Sequence, residues 1–266
     1  MQPVILFRNS EDVEDEFESL KELPVFSSCV HEYRSEVPAG SLVIGRYSVL
    51  PFFQELEKEL KTRGCCLINS WDQHDYIADI GRWVTELEGM TPRTWFEWGN
   101  IPEGSYVVKG RTNSRKHQWK DQMFAKTRAD VPRIASVLLY DQLIAPQGLC
   151  AREYVPLVRL DTAINGLPVS NEWRVFFYGR RRLAYGFYWS NFEDRRPYTT
   201  LPAEALALLD RVAEIVARRT NFFVVDIAER ADGRWIVIEL NDGQMSGLSM
   251  VDPVEMYTNL AKALDS

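Results

Sequence analysis

Short apolar runs alternate along this 266-residue chain with polar turns that carry glycine and proline. "VILF", Val4–Phe7, predicts a strand, and the residues from Glu11 to Leu23 predict an acidic helix. Ser41–Tyr47 predicts a second strand. Phe53, Leu56 and Leu60 recur at helical spacing within Phe52–Thr62, and Cys65–Ile68 predicts a third strand. This alternation of strand and helix is the pattern of a parallel α/β sheet, and a helical stretch from Asp72 to Glu88 closes the unit. Gly89-Met90-Thr91-Pro92 then reads as a boundary.

Beyond the boundary, "YVVK" (Tyr106–Lys109) predicts a strand followed by a basic loop. A helical region runs from Gln118 to Leu143, interrupted at Pro132, and Pro146-Gln147-Gly148 marks a turn. Leu149–Val155 predicts a strand that continues past Pro156. "NEWRVFFYGRRRLAYGFYWS" predicts a hairpin turning near Gly179-Arg180-Arg181. Pro202–Arg219 predicts a helix with Pro202 in its first turn and Leu206, Leu209, Ala213 and Val216 as its apolar stripe. "FFVVDIAERADGRWIVIELN" predicts a second hairpin turning on Asp232-Gly233, and Asp252-Pro253 opens a terminal helix.

Composition narrows the class. Hydrophobic residues make up 45% and charged residues 26%, the balance of a soluble globular protein. No apolar run approaches the ~20 residues of a membrane helix, and the start lacks the basic region of a secretory signal, so no membrane partner is expected. Cys29, Cys65, Cys66 and Cys150 are too few and too irregular for a disulfide framework or a zinc cluster, which points to a cytoplasmic location. Cys65 and Cys66 read as core packing. The net charge of −7 disfavours a general nucleic-acid coat. Yet Lys109–Arg133 holds eight basic residues against two acidic, and Arg174–Arg196 six against two. These islands are either local anion sites or solvated faces.

The second hairpin concentrates the candidate chemistry. Asp226 ends one strand, and Glu239 and Asn241 end its partner. Two residues apart, Glu239 and Asn241 share a face. A turn at Asp232-Gly233 places Asp226 across from Glu239. Facing carboxylates repel unless a cation joins them, and magnesium suits such a set of oxygens. A solvated strand end with an Asn-Asp-Gly turn is the alternative. Gly243, Ser246 and Gly247 leave clearance for a substrate. Asp242 is either a support for the pair or the turn's cap. The chain contains no Gly-x-x-x-x-Gly-Lys-Ser/Thr loop, Gly-x-Ser-x-Gly elbow or Gly-x-Gly-x-x-Gly run, and its three histidines are scattered.

The succession of "YVVKG", a basic loop, "AREYV", "NEWRVFF" and "VVDIAERADGRWIVIELNDG" resembles the ATP-grasp superfamily of ligases from about Thr91 onward. Within it the match is to the clade described by one arginine and two lysines around the nucleotide. The resemblance implies a small N-terminal α/β domain (residues 1–90) before a two-lobed α+β ATP-grasp fold. The small lobe would span 91–148 and the large lobe 149–266. It implies ATP and Mg2+ as cofactors, with Lys109 at the nucleotide phosphates and Lys116 and Arg93 as the second lysine and the arginine. Arg111, Ser114 and Arg115 are further phosphate contacts, since "GRTNSRKHQW" holds one glycine where the family has several. Glu153, Tyr154 and Val155 would be the adenine hinge and Asp161 a ribose contact. Glu172 and Arg174 share the nucleotide-facing side of their strand, Arg174 meeting the terminal phosphate. Asp226, Glu239 and Asn241 would hold the metal.

The implied reaction is an ADP-forming ligation of a small-molecule or peptide carboxylate to an amine acceptor through an acyl-phosphate, with Arg174 and Lys109 as the catalytic cations. A phosphotransferase, a nucleotide-binding module without turnover and a nucleic-acid binder are the alternatives.

Overall fold

The computed structural model describes residues 3–8 and 14–265. The first unit is a parallel sheet in the order Ser27–Val30, Val4–Phe7, Leu42–Gly45, Cys66–Leu67. Helix Phe53–Lys61 buries the expected Phe53, Leu56 and Leu60 against it. The acidic helix covers Glu14–Leu20, and residues 11–13 of that expectation lie outside the described residues. The stretch from 72 to 88 is two helices, not one. Trp71–Ala78 begins with a capping box between Ser70 and Gln73, and Ile80–Trp83 begins at Asp79, whose side chain accepts from the Gly81 N–H at 2.8 Å. A second N-cap inside an apolar pattern restarts the helix there. Cys65 is buried but Cys66 is exposed, because neighbouring strand residues face opposite ways.

The small lobe is an antiparallel sheet in the order Thr94–Trp95, Leu149–Glu153, Tyr106–Gly110, Phe124–Ala125. Tyr106 and Val108 pack with Ala151 under helix Val131–Leu138. Strand alternation therefore turns Val107 and Lys109 to the other face, which lines a cleft. The region from Gln118 to Leu143 is not a single interrupted helix. It contains the short helix Trp119–Gln122, a strand at Phe124–Ala125 and helix Val131–Leu138. Pro132 occupies the first turn of that last helix, where its missing N–H costs nothing, so it starts a helix. Leu149–Glu153 pairs along its whole length with Tyr106–Gly110, so the strand expected to open the large lobe belongs to the small-lobe sheet.

The large-lobe sheet runs Arg181–Phe187, Glu172–Tyr178, Phe222–Glu229, Trp235–Asp242, all antiparallel. Both hairpins turn where expected, and Gly233 takes φ 81°, which favours glycine. One face, Trp173, Val175, Phe177, Phe223, Val225 and Ile227, packs on helix Ala203–Val216. On the other, Phe176, Phe222 and Val224 meet helix Pro253–Leu264 and the N-terminal sheet. Pro202 is the N-cap of its helix, one position earlier than expected, and Asp252 caps the last helix through the Val254 and Glu255 N–H groups.

Gly186 lies opposite Arg174, and a Cβ there would run into the backbone of Met250 and Val251. Gly186→Ala is therefore expected to destabilise the protein by about 1–3 kcal/mol, measured as a lower denaturation midpoint. No helix among the described residues is long and apolar enough to cross a membrane.

Candidate active site

The face of the large-lobe sheet that carries Phe176 and Val224 turns polar toward one end. Arg174 lies opposite Asp226, and Asp226 lies opposite Glu239, so three charges stand in a row across three strands. Asp226 is fully buried. Arg174 Nε and NH2 each donate to its carboxylate at 2.9 Å, a bidentate pairing, and a third Arg174 N–H donates to the Gly247 carbonyl at 2.8 Å. Burial alone would lower the Arg174 pKa, but Asp226 outweighs it and keeps the guanidinium charged. Asn241 stands two residues beyond Glu239, with its Nδ2 3.5 Å from Asp226 Oδ2. The ladder shifts register beside Asp226, where Ile238 is the extra residue. A bulge re-aims side chains, and here both Ile238 and Glu239 reach the cleft.

The small lobe supplies the opposing cations. Lys109 forms an ion pair with Glu239 across the cleft. Burial would raise the Glu239 carboxyl, but Lys109 and Lys116 together hold it down at about 2. Lys116 Nζ donates to the Tyr188 hydroxyl at 2.7 Å. Arg152, buried on the strand beside Lys109, donates to the Ile238 carbonyl and to Thr91 Oγ1 at 2.7 Å, and its Nε has no protein partner.

Glu172 completes the cleft floor. Burial pushes its carboxyl up to about 7, with Asp226 and Glu239 adding to the effect against Lys116 and Arg174. A carboxyl raised above its ordinary 4.5 favours the fold below that pH, and the benefit is lost as pH rises through 7. Glu172→Gln is expected to remove a loss of up to about 3 kcal/mol between pH 4.5 and 7, read from denaturant midpoints of the two proteins across that window.

Several oxygens on this face have no protein donor among the described residues: Glu172 Oε1, which is buried, Glu239 Oε2 and Asn241 Oδ1. Hard oxygen donors of this kind fit magnesium, which takes one or two carboxylates and completes its shell with phosphate and water. His, Cys, Asp and Glu alone form no cluster of three or more suited to a metal among the described residues, so the set depends on the amide of Asn241. At the other end of the cleft, the Glu153 and Tyr154 N–H groups are taken by the Arg93 and Ser105 carbonyls at 2.8 and 2.9 Å. Val155 N–H has no acceptor among the described residues, which narrows the expected hinge to one donor.

Lys109, Lys116, Ser114, Glu153, Tyr154, Val155, Glu172 and Glu239 thus line one cleft, and Arg174, Asp226 and Asn241 adjoin it on the sheet face. Other expectations fall elsewhere. Arg93 is outside the cleft with its side chain 65% exposed, held by Glu153 at 2.9 Å and lying over Trp95. Asp161 is paired with Arg195 at 3.0 Å and does not line the cleft. Arg111 is held bidentate by Asp79 and Arg115 by Asp141, so each has a carboxylate in place of a phosphate. Gly243 clears space not for a substrate but for Phe222, whose ring would lie 2.7 Å from an added Cβ. Asp242 is a support: its buried carboxylate binds Asn69 at 2.8 Å, His74 at 3.0 Å and the Gln244 N–H at 2.9 Å.

Arg152 and Tyr188 were not anticipated. A lone arginine between apolar strand residues, in phase with Lys109 through its partner Val107, was the available signal for Arg152. Tyr188 gave none, because its contacts come from another lobe.

Solved structures share this fold over nearly the whole chain. The RimK domain protein ATP-grasp from Sphaerobacter thermophilus DSM 20745 is 15% identical with a TM-score of 0.61, covering 99% of this chain and 100% of its own. The ATP-grasp ligase PsnB, complexed with a phosphomimetic variant of its minimal precursor, Mg and ADP, is 12% identical with a TM-score of 0.59, covering 100% and 99%. D-Alanine–D-alanine ligase from Bacillus anthracis, complexed with ATP, is 12% identical with a TM-score of 0.58, covering 99% and 92%. At these identities the likeness establishes the fold. None of the curated proteins matches the chain. The model for family 3 of the ATP-grasp domains in the clade of one arginine and two lysines matches residues 96–260. That is more than half of the sequence and takes in the cleft from Lys109 to Asn241, and the chain belongs to that ATP-grasp family.

Proposed function

We propose that the protein is an ATP-dependent carboxylate–amine ligase that forms an amide and releases ADP and phosphate. The observation that carries the reading is the convergence of Lys109 and Lys116 from one lobe on the row Arg174–Asp226–Glu239 of the other. Val155 N–H, at the far end of the same cleft, would donate to adenine. Arg152, buried and with a free Nε–H, replaces Arg93 as the arginine beside the nucleotide.

In this reading Lys109, Lys116 and Arg174 bind the phosphates and neutralise charge as the terminal phosphoryl group moves. Glu239, Asn241 and Asp226 would hold magnesium, which supplies Lewis-acid charge neutralisation at the phosphate oxygens when bound. A substrate carboxylate oxygen attacks the γ-phosphorus, the bond to ADP breaks, and an acyl-phosphate results. An amine then attacks the acyl carbon, phosphate leaves and the amine releases a proton. No side chain acts as nucleophile, so the protein contributes orientation and electrostatics. The ligase neighbours, one complexed with a precursor variant, Mg and ADP, support this class of reaction. A phosphotransferase would use the same cations and stop at the first transfer.

Nucleotide binding has a direct test. ATP at about 100 times its Kd should stabilise the protein by about 2.7 kcal/mol, and only with magnesium present. A thermal midpoint that ignores both would reject the reading. Arg93→Ala, by contrast, should leave the ATP dissociation constant within about twofold, because an exposed ion pair outside the cleft contributes little.

A further inference from the structure

We propose that Tyr188 is a positioning residue: it docks the basic loop of the small lobe onto the large lobe and sets where the Lys116 ammonium stands. The inference rests on the nucleotide reading above. Tyr188 follows strand Arg181–Phe187, and its N–H donates to the Glu172 carbonyl at 2.9 Å, which fixes it beside the cleft floor. Its hydroxyl accepts from Lys116 Nζ at 2.7 Å, and that nitrogen lies 4.4 Å from the ring centroid. The Arg174 guanidinium carbon lies 4.8 Å from the same centroid. One phenol therefore touches the loop cation and the sheet cation that clasps Asp226. The next loop residue is tethered too, since Asn165 Nδ2 donates to the His117 carbonyl at 2.7 Å.

The chemistry of the acceptor matters. The other cations of this loop, Arg111 and Arg115, end on carboxylates that cancel their charge. Lys116 forms no ion pair among the described residues and ends on a neutral hydroxyl. An ammonium has three N–H donors, so a single bond to a phenol orients it while leaving two donors and the full charge for an anion. Burial raises the Tyr188 pKa and keeps the hydroxyl neutral. A carboxylate in its place would compete with phosphate.

The test is a double-mutant cycle on the full chain, reading the Mg·ATP dissociation constant by calorimetry, with the nucleotide-free thermal midpoint as the folding control. Tyr188→Phe keeps the ring and removes the hydroxyl, so it should weaken Mg·ATP binding about tenfold with little change in the nucleotide-free midpoint. Lys116→Met should weaken binding at least as much, and the double variant should bind no worse than Lys116→Met alone. Wild-type affinity in Tyr188→Phe, or losses that multiply in the double variant, would overturn the inference while leaving the nucleotide reading intact. Absence of magnesium-dependent ATP binding by the unaltered protein would overturn both.

Discussion

Asp226→Ala is expected to abolish ATP turnover and to lower stability by about 3–5 kcal/mol. The two effects share a cause. Asp226 is fully buried and accepts both bonds of the Arg174 fork, so its removal leaves a guanidinium in a desolvated site without its counter-ion. Two strands also lose the centre of the row that aligns Arg174 with Glu239. Asp226→Asn separates the two consequences. It keeps the shape and one acceptor, so its loss of stability should be smaller. Turnover should still fall roughly a hundredfold or more, because the charge that orients Arg174 is gone. Denaturant midpoints and steady-state ADP release check the two halves, and an Asp226→Asn protein with ordinary turnover would contradict the role given to the row.

Glu239→Gln should remove most magnesium-dependent turnover, by roughly a hundredfold to a thousandfold, with the fold retained. Glu239 has one oxygen paired with Lys109 and the other without a protein donor. The variant loses the charge a divalent cation needs and also frees Lys109 from its partner. The wild-type carboxyl, held at about 2, contributes stability that is present above pH 4.5 and lost as pH falls toward 2. Above pH 4.5 the Gln variant should therefore be the less stable, and near pH 2 the gap should close. Titrating magnesium at saturating ATP is the decisive readout: a variant with the wild-type magnesium dependence would remove Glu239 from the metal set.

How much of this was legible depended on how local each interaction is. A hairpin's register follows from its turn, so Asp232-Gly233 and the strand phase sufficed to set Asp226 opposite Glu239 and Asn241 on the same face. The same logic separated Arg174 from Trp173 and Val175. The bulge at Ile238 left no trace in composition, yet it brings a second consecutive residue to the cleft. Partners distant in sequence were illegible. Nothing near Arg111 in the chain points to Asp79, 32 residues away, and nothing near Arg93 points to Glu153, 60 residues away. Phe124–Ala125 is a strand of two residues, too short to carry a period, so a helical reading ran through it. Gly243 shows that a glycine beside a site can serve packing, since the neighbour that needs its space is Phe222.

The central claim is that this cleft couples ATP cleavage to amide formation. The measurement that tests it most directly is product analysis after incubation with ATP, magnesium and pooled carboxylates and amines. ADP, phosphate and a new amide should form in equal amounts, and all three should vanish in Glu239→Gln. A phosphorylated product without an amide, AMP with pyrophosphate, or equal product from the Glu239→Gln protein would contradict it.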